Sequence, residues 1–125
     1  MRIAELKGYQ LVSIDEEKIV VKKGDNSYIL HIVEDEGDCC GFNEIQTDLF
    51  ICNEELKRNP IITDIEMVAE DRGGDGENCK VTFFGEYKPM AELNTYSSSG
   101  SGWCYGAAVT LICEALELDE TLSSW

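Results

Sequence analysis

Three short segments near the N-terminus alternate apolar with polar residues, and this period of two is typical of β-strands. The segments cover residues 9–14, 18–22 and 27–33. Residues 15–17 are acidic and are predicted to turn the chain, and residues 23–26 include Gly24 and Asn26. Glycine and asparagine tolerate the positive φ that tight hairpin turns need. The sequence therefore predicts an N-terminal three-stranded antiparallel meander.

The rest of the chain is predicted to add further strands and one or two short helices. Thr47 is expected to cap a helix over residues 48–58, because Leu49, Cys52 and Leu56 share one face at helical spacing. The other segments are assigned to an extended piece at 42–45, strands at 61–70 and 79–87, an irregular stretch at 88–101, a buried strand or a helix at 103–113, and a partly helical acidic tail at 114–125. We expect an α+β fold with an antiparallel β-sheet, in a single ligand-binding domain over residues 1–125.

The charge balance is strongly acidic. Ten lysines and arginines stand against 25 aspartates and glutamates, which gives a formal net charge of −15. A surface of this sign repels phosphate backbones, so we expect no nucleic-acid binding. Two interpretations remain: the charge keeps a small protein soluble, or the acidic surface imitates DNA and occupies a basic groove on a protein partner.

The lack of an apolar targeting segment and the pattern of cysteines both favour a cytoplasmic protein. No apolar run approaches the roughly 20 residues that span a bilayer, and residues 1–5 carry no apolar signal segment. The six cysteines, at positions 39, 40, 52, 79, 104 and 113, form no Cys-x-x-Cys pair. Because the cytosol keeps thiols reduced, most of them are expected to be small buried side chains rather than disulfide partners or zinc ligands. The acidic residues at 34–38 lack EF-hand spacing, which favours a solvated loop over a calcium site.

Catalytic residues are not evident in the sequence. His31 is the only histidine, so a nucleophile–base pair would have to join it to Cys39 or Cys40. His31 shares a strand face with Ile29 and Val33, and no third group is in place to orient it. We expect His31 to be a core or interface residue and the protein to be a binding protein, not an enzyme, with no cofactor and no metal.

Aromatic residues beside a serine- and glycine-rich loop suggest where a small ligand binds. Period two puts Phe83 in the core and Phe84 on an otherwise polar strand face, where its ring can stack on a base. Residues 97–102 offer hydroxyls and amides with little bulk, and Trp103 and Tyr105 follow directly. These features fit a nucleotide-sized pocket, although a flexible surface loop and a dimer interface would use the same residue types.

A set of motifs across residues 10–112 resembles a known family. The set comprises His31, the Gly-Asp-Cys-Cys run at 37–40, Glu44-Ile45, Thr47-Asp48-Leu49, Pro60-Ile61-Ile62, the strand at 79–83 and the Ser/Gly/Trp/Tyr run at 98–106. It is similar to the small phage proteins with an Asp-Cys-Cys signature, which include the first type of Thoeris anti-defence protein. Members of that family are described as sponges that bind glycocyclic ADP-ribose signals from TIR-domain enzymes without cleaving them. Some also take up cyclic oligonucleotides, and the family forms dimers and larger oligomers.

The resemblance implies a ligand site and an oligomer for this chain. A pyrophosphate ligand entering an acidic protein must meet local cations, and Arg58 and Arg72 are the preferred candidates because arginine contacts phosphate through two parallel hydrogen bonds. The implied ligand-binding residues are Phe84, Asn94, Arg72, Arg58, Ser98, Ser99, Gly100, Trp103 and Tyr105. We expect a homodimer or higher homo-oligomer with its sites at subunit interfaces and no contact with a membrane, acting in the host cytosol to block Thoeris defence.

Overall fold

The computed structural model describes residues 1–35, 42–71, 76–98 and 107–124, excepting the side chains of residues 42 and 71. Most of these residues lie in strands. In chain order the elements are β1 (Gln10–Ile14), β2 (Lys18–Lys23), β3 (Asn26–Asp35), β4 (Phe42–Leu49), α1 (Asn53–Lys57), β5 (Asp64–Asp71), β6 (Glu77–Gly85), β7 (Lys88–Ser98), β8 (Ala108–Cys113) and β9 (Leu118–Ser124). Two 3₁₀ turns, Ile3–Leu6 and Glu114–Leu116, complete the described secondary structure.

The strands form two antiparallel sheets that share one core. The five-stranded sheet has the order β1-β2-β3-β8-β9, and the four-stranded sheet has the order β4-β7-β6-β5. Alternate residues of each strand point inward, and Phe83, Leu93 and Leu111 are fully buried in a cluster that joins both sheets. Burial of such side chains removes apolar surface from water and is the main driving force that holds the two layers together. The predicted α+β class with an antiparallel sheet is confirmed.

The predicted N-terminal meander is also confirmed, and its turns use the expected residues. Asp15 Oδ1 accepts hydrogen bonds from the backbone N–H of Glu17 at 2.7 Å and of Lys18 at 2.9 Å. These bonds favour the charged carboxylate and lower the pKa of Asp15. Between β2 and β3, Gly24 has φ of 62°, which matches a two-residue hairpin with glycine at its first position.

The predicted helix at 48–58 is mostly wrong. Residues 48 and 49 belong to β4, which pairs with β7 up to the partners Leu49 and Ala91. The helix that does form is the short α1, which begins after Cys52. Leu49 and Cys52 are exposed, so the expected apolar face is not buried. Pairing with β7 satisfies the backbone of this segment over a long distance in sequence, and such tertiary pairing overrides a local helical pattern.

The stretch predicted to be irregular, 88–101, contains β7, the longest of the described strands. β7 lies between β4 and β6 and pairs with both. Its inward side chains change from Ala91 and Leu93 to the polar Thr95 and Ser97, all of them buried. The alternation of apolar and polar residues therefore disappears in the second half of the strand, and the sequence pattern no longer reveals it.

The C-terminal predictions are corrected in the same way. The apolar segment after residue 107 forms the strand β8, which agrees with the first of the two predicted forms, and the acidic tail forms β9 rather than a helix. Glu117 has φ of 53° and ends the 3₁₀ turn that reverses the chain between them. The strand predicted at 61–70 begins later, at Asp64. Across the described ranges, no helix has both the length and the apolar character to cross a membrane.

Candidate functional site

The outer face of the four-stranded sheet is polar, and the predicted site residue Asn94 lies near its centre. Asn94 pairs with Gln46 on β4 and with Lys80 on β6, and Tyr96 lies two residues further along β7. A cavity of about 70 Å³ opens here and is lined by Glu44, Gln46, Asn78, Asn94, Thr95 and Tyr96. Small-molecule sites usually enclose about 300–1,000 Å³. This cavity therefore accommodates one ring edge and not a complete nucleotide.

A hydrogen bond and an ion pair hold the side chain of Asn94. Its amide N–H donates to Glu92 Oε1, and Glu92 Oε2 lies 3.7 Å from the ammonium group of Lys80. The half-buried Glu92 thus connects β7 with β6 through side chains as well as through the backbone. The amide of Asn94 is oriented before any ligand arrives, which lowers the entropic cost of binding.

Carboxylates dominate the charge of this face. One row across the sheet carries Asp48, Glu92 and Glu66, with Thr82 between the last two. Glu44 and Glu70 belong to the row of Tyr96 and Asn78, and Lys80 opposes this negative charge. A phosphate in the centre of the face would be repelled, so this surface favours uncharged or cationic groups.

The structure separates the other predicted site residues from Asn94. Phe84 is half-buried on the same face but lies four residues beyond Lys80 along β6, which corresponds to about 13 Å. Ser98 ends β7 in the opposite direction and is buried. Arg58 is exposed and follows α1, which contacts β1 of the other sheet. Five further predicted residues, Arg72, Ser99, Gly100, Trp103 and Tyr105, lie outside the described residues, as does the Asp-Cys-Cys run.

Buried polar side chains link the two sheets at one end of the sandwich. Ser97 Oγ donates to Asn43 Oδ1 at 2.6 Å and lies 2.8 Å from the hydroxyl of Ser123 on β9. The amide of Asn43 donates in turn to the backbone oxygen of Asp35 at 3.1 Å. The sequence did not reveal this network. The signal that could have found it is the polar half of β7, which is unusual for an inward strand face.

The same end carries the flanks of three stretches that contain predicted motif or site residues, namely the Asp-Cys-Cys run, Arg72 and the Ser/Gly/Trp/Tyr run. Asp35 pairs with Ala108, and Ala108 pairs with Ser124. In the other sheet Ser98 pairs with residue 42, and Glu77 pairs with both Ser97 and residue 71. The backbone N–H of Ser124 donates to Glu77 at 3.3 Å and joins the two groups. The flanks of the stretches at 36–41, 72–75 and 99–106 therefore converge, although these stretches are far apart in sequence.

Removal of the two inward hydroxyls of β7, on Thr95 and Ser97, is expected to change the free energy of unfolding in opposite directions. Thr95 is 1% exposed, and its hydroxyl has no hydrogen-bond partner among the described residues. Thr95→Val keeps the shape and removes this desolvated group, so we expect the free energy of unfolding to rise by about 1 kcal/mol. Ser97→Ala removes the hydrogen bonds that Asn43 Oδ1 and the Ser123 hydroxyl make with Ser97, and it is expected to lower the free energy of unfolding by about 1–3 kcal/mol. Urea denaturation measures both, and a loss of stability in Thr95→Val would contradict the assignment of an unpaired hydroxyl.

His31 and the described cysteines fit no catalytic arrangement. The side chain of His31 is exposed on the outer face of the five-stranded sheet, so of the two predicted positions the core is wrong and the interface stays a prediction. Cys79 and Cys113 are buried as predicted and Cys52 is exposed. Burial raises the pKa of the Cys79 thiol to about 11, which keeps it in the unreactive protonated form. Within the described ranges, no three histidine, cysteine or acidic side chains gather into a metal-binding group.

Comparison with known proteins gives no family for this chain. No family model, no curated protein and no solved structure matches it.

Proposed function

We propose that this protein binds a small nucleotide signal of the glycocyclic ADP-ribose class and holds it intact, as an immune-evasion sponge of a phage would do against Thoeris defence. One observation carries the proposal: the flanks of the stretches at 36–41, 72–75 and 99–106, which hold predicted motif or site residues, meet at the polar end of the sandwich, two residues beyond Tyr96 along β7. A site for a small ligand needs groups from several segments in one place, and this topology supplies the framework for it.

The described side chains match different parts of such a ligand. The ring of Tyr96 offers a stacking surface, and the amides of Asn78, Asn94 and Gln46 offer hydrogen bonds to a base or a ribose. Glu44 and Glu92 repel phosphates from the same spot. We therefore assign the pyrophosphate to the end of the sandwich beyond Ser98 and leave Arg58 out of the site; Arg72 stays the counter-ion predicted from the sequence.

Sequestration does not require a catalytic group. A sponge needs affinity and slow release and no stabilisation of a transition state. His31 lies on the sheet opposite to Asn94, and burial keeps Cys79 protonated. These positions support binding over cleavage.

Thermal unfolding with and without glycocyclic ADP-ribose isomers tests the proposal. At a ligand concentration 100 times Kd we expect stabilisation of about 2.7 kcal/mol, and heating should release the intact nucleotide. Asn94→Ala should remove most of the ligand-induced shift, because it deletes the oriented amide. Asn53→Ala, an exposed asparagine in α1, is the matched control and should keep the shift. Absence of a shift with every isomer would overturn this ligand class, and a time-dependent product would show an enzyme.

A second candidate function, inhibition of a basic protein, rests on the acidic face itself. Asp48 and Glu92 lie on neighbouring strands about 5 Å apart, and Glu66 lies in the same row two strands, or about 10 Å, from Glu92. Such an array suits a DNA-binding groove whose cations normally contact phosphates. Binding of a basic DNA-binding protein should then weaken steeply with salt and with Glu66→Gln, whereas nucleotide binding should not depend on Glu66.

A further inference from the structure

The outer face of the five-stranded sheet breaks the usual pattern of a solvated sheet. Antiparallel sheets with one buried face normally present polar side chains on the other. Here β3 presents Ile29 and Val33, which are 44% and 42% exposed, on either side of His31. The neighbouring strands extend the apolar area with Val20, which pairs with Ile29, and Ile112, which pairs with His31.

A broad groove of about 680 Å³ runs along this apolar area. It is lined by Ser27, Tyr28, Ile29, His31, Val33, Ile112, Cys113, Glu114 and Ala115. Carboxylates are sparse in the groove, although the chain as a whole has a formal net charge of −15. A surface with this composition resembles the weakly charged, apolar core of a protein interface.

The flanks of the face carry opposite charges. Lys18 and Lys22 lie on the β2 side, in the rows of His31 and Ser27. Asp119 lies on the β9 side, where it pairs with Ile112 in the row of His31. A two-fold axis along β3 places the β2 side of one copy against the β8–β9 side of another, so that Lys18 approaches Asp119 of the second copy. This contact between Lys18 and Asp119 is electrostatically complementary despite the overall negative charge of the chain.

The size of the face suits a dimer. Five strands at about 4.8 Å spacing, each exposing roughly 20 Å of its length, give a flat area of about 480 Å². Protruding side chains increase the accessible area, and interfaces of stable complexes bury about 600 Å² or more on each partner. The complete outer face thus reaches the lower end of that range.

We propose that the outer face of the five-stranded sheet is the interface of a two-fold homodimer, with β3 of each copy along the axis. The face lies opposite the polar face with Asn94, so the inference is independent of the proposed ligand. It also differs from the sequence-based expectation of a binding site built at the interface, because Phe84 and Asn94 are on the other sheet.

Sedimentation equilibrium of the full chain without ligand tests the proposal. We expect a dimer at micromolar concentration. In a dimer of the double variant Ile29→Asp/Val33→Asp, four unpaired carboxylates would be buried. Val33→Asp alone should already raise the dimer Kd about 100-fold or more. The matched control is Val68→Asp, because Val68 is also 42% exposed but lies on β5 of the other sheet, and it should dimerise normally.

A charge reversal tests the direction of the axis. Lys18→Glu should weaken the dimer, and adding Asp119→Lys should restore it, since the two residues approach each other only across the proposed axis. Melting temperatures of all variants establish that they are folded. A wild-type protein that remains monomeric at about 100 μM, which corresponds to a binding free energy weaker than about −5.5 kcal/mol, would overturn the proposal. So would a Val33→Asp variant that is folded and dimerises as well as Val68→Asp.

Discussion

Replacing Phe83 with alanine is expected to lower the free energy of unfolding by about 3–5 kcal/mol. The side chain is fully buried on the inward face of β6 and belongs to the cluster that joins the two sheets. Its removal leaves a cavity that close-packed neighbours fill only in part, so the lost contacts add to the lost burial. Urea denaturation monitored by circular dichroism measures the effect, which is a large fraction of the stability of an average domain.

The adjacent residue is the matched control for this prediction. Phe84 has the same side chain in the same strand but lies on the outer face and is half-buried. Phe84→Ala is therefore expected to cost clearly less stability than Phe83→Ala. Equal losses would contradict the assignment of the two faces. Because Phe84 is about 13 Å along β6 from the row of Asn94, we also expect Phe84→Ala to affect nucleotide binding less than Asn94→Ala.

Gly76→Ala is expected to destabilise the protein by about 1–3 kcal/mol, since the new methyl group has no room. A Cβ at this position would lie 2.6 Å from the backbone oxygen of Ser97 and 2.7 Å from the hydroxyl of Tyr96. The new Cβ fits only if the backbone of β7 or the side chain of Tyr96 moves away from it. The same substitution should therefore disturb the cavity beside Asn94 and weaken any ligand that binds there.

Gly85→Ala provides the comparison for Gly76→Ala. A Cβ at Gly85 would also come within 2.6 Å of another atom, but that atom is the sulfur of Met90. The unbranched methionine side chain can adjust at lower cost than a backbone oxygen. We expect a smaller loss of stability and no effect on the nucleotide-induced shift in melting temperature. A larger loss for Gly85→Ala than for Gly76→Ala would show that Met90 is held rigidly.

The polar end of the sandwich shows why the candidate site could be predicted only in part. Residue types singled out Ser98 and the family resemblance implied Asn94, and both belong to β7, the strand that carries the polar network. The network itself depends on partners far apart in sequence, such as Asn43 with Ser97 and Ser97 with Ser123. Pairings of this kind are set by sheet order and register, which a single sequence does not specify.

Local chemistry in the sequence was sufficient for the meander and for the inward face of β6. Alternation in β2 and the turn residues Asp15 and Gly24 act over a few residues, so their effect is visible in the sequence itself. The helical pattern at 48–58 was equally local, but the helix prediction was mostly wrong. Pairing with β7 stabilises residues 48 and 49 as a strand more than a short isolated helix would.

Tertiary structure alone decided how the strands are arranged in two sheets and which outer face is acidic and which apolar. The segment 88–98 becomes a central strand because β4 and β6 both pair with it, and its polar inward Ser97 is tolerated because it finds partners across the sandwich. Likewise, the sequence shows that Ile29 and Val33 are apolar, but only the tertiary structure shows that they are exposed. Burial of a strand face depends on which side of its sheet packs against the other sheet, and long-range packing determines that side. The sequence pattern gives only the period of each strand.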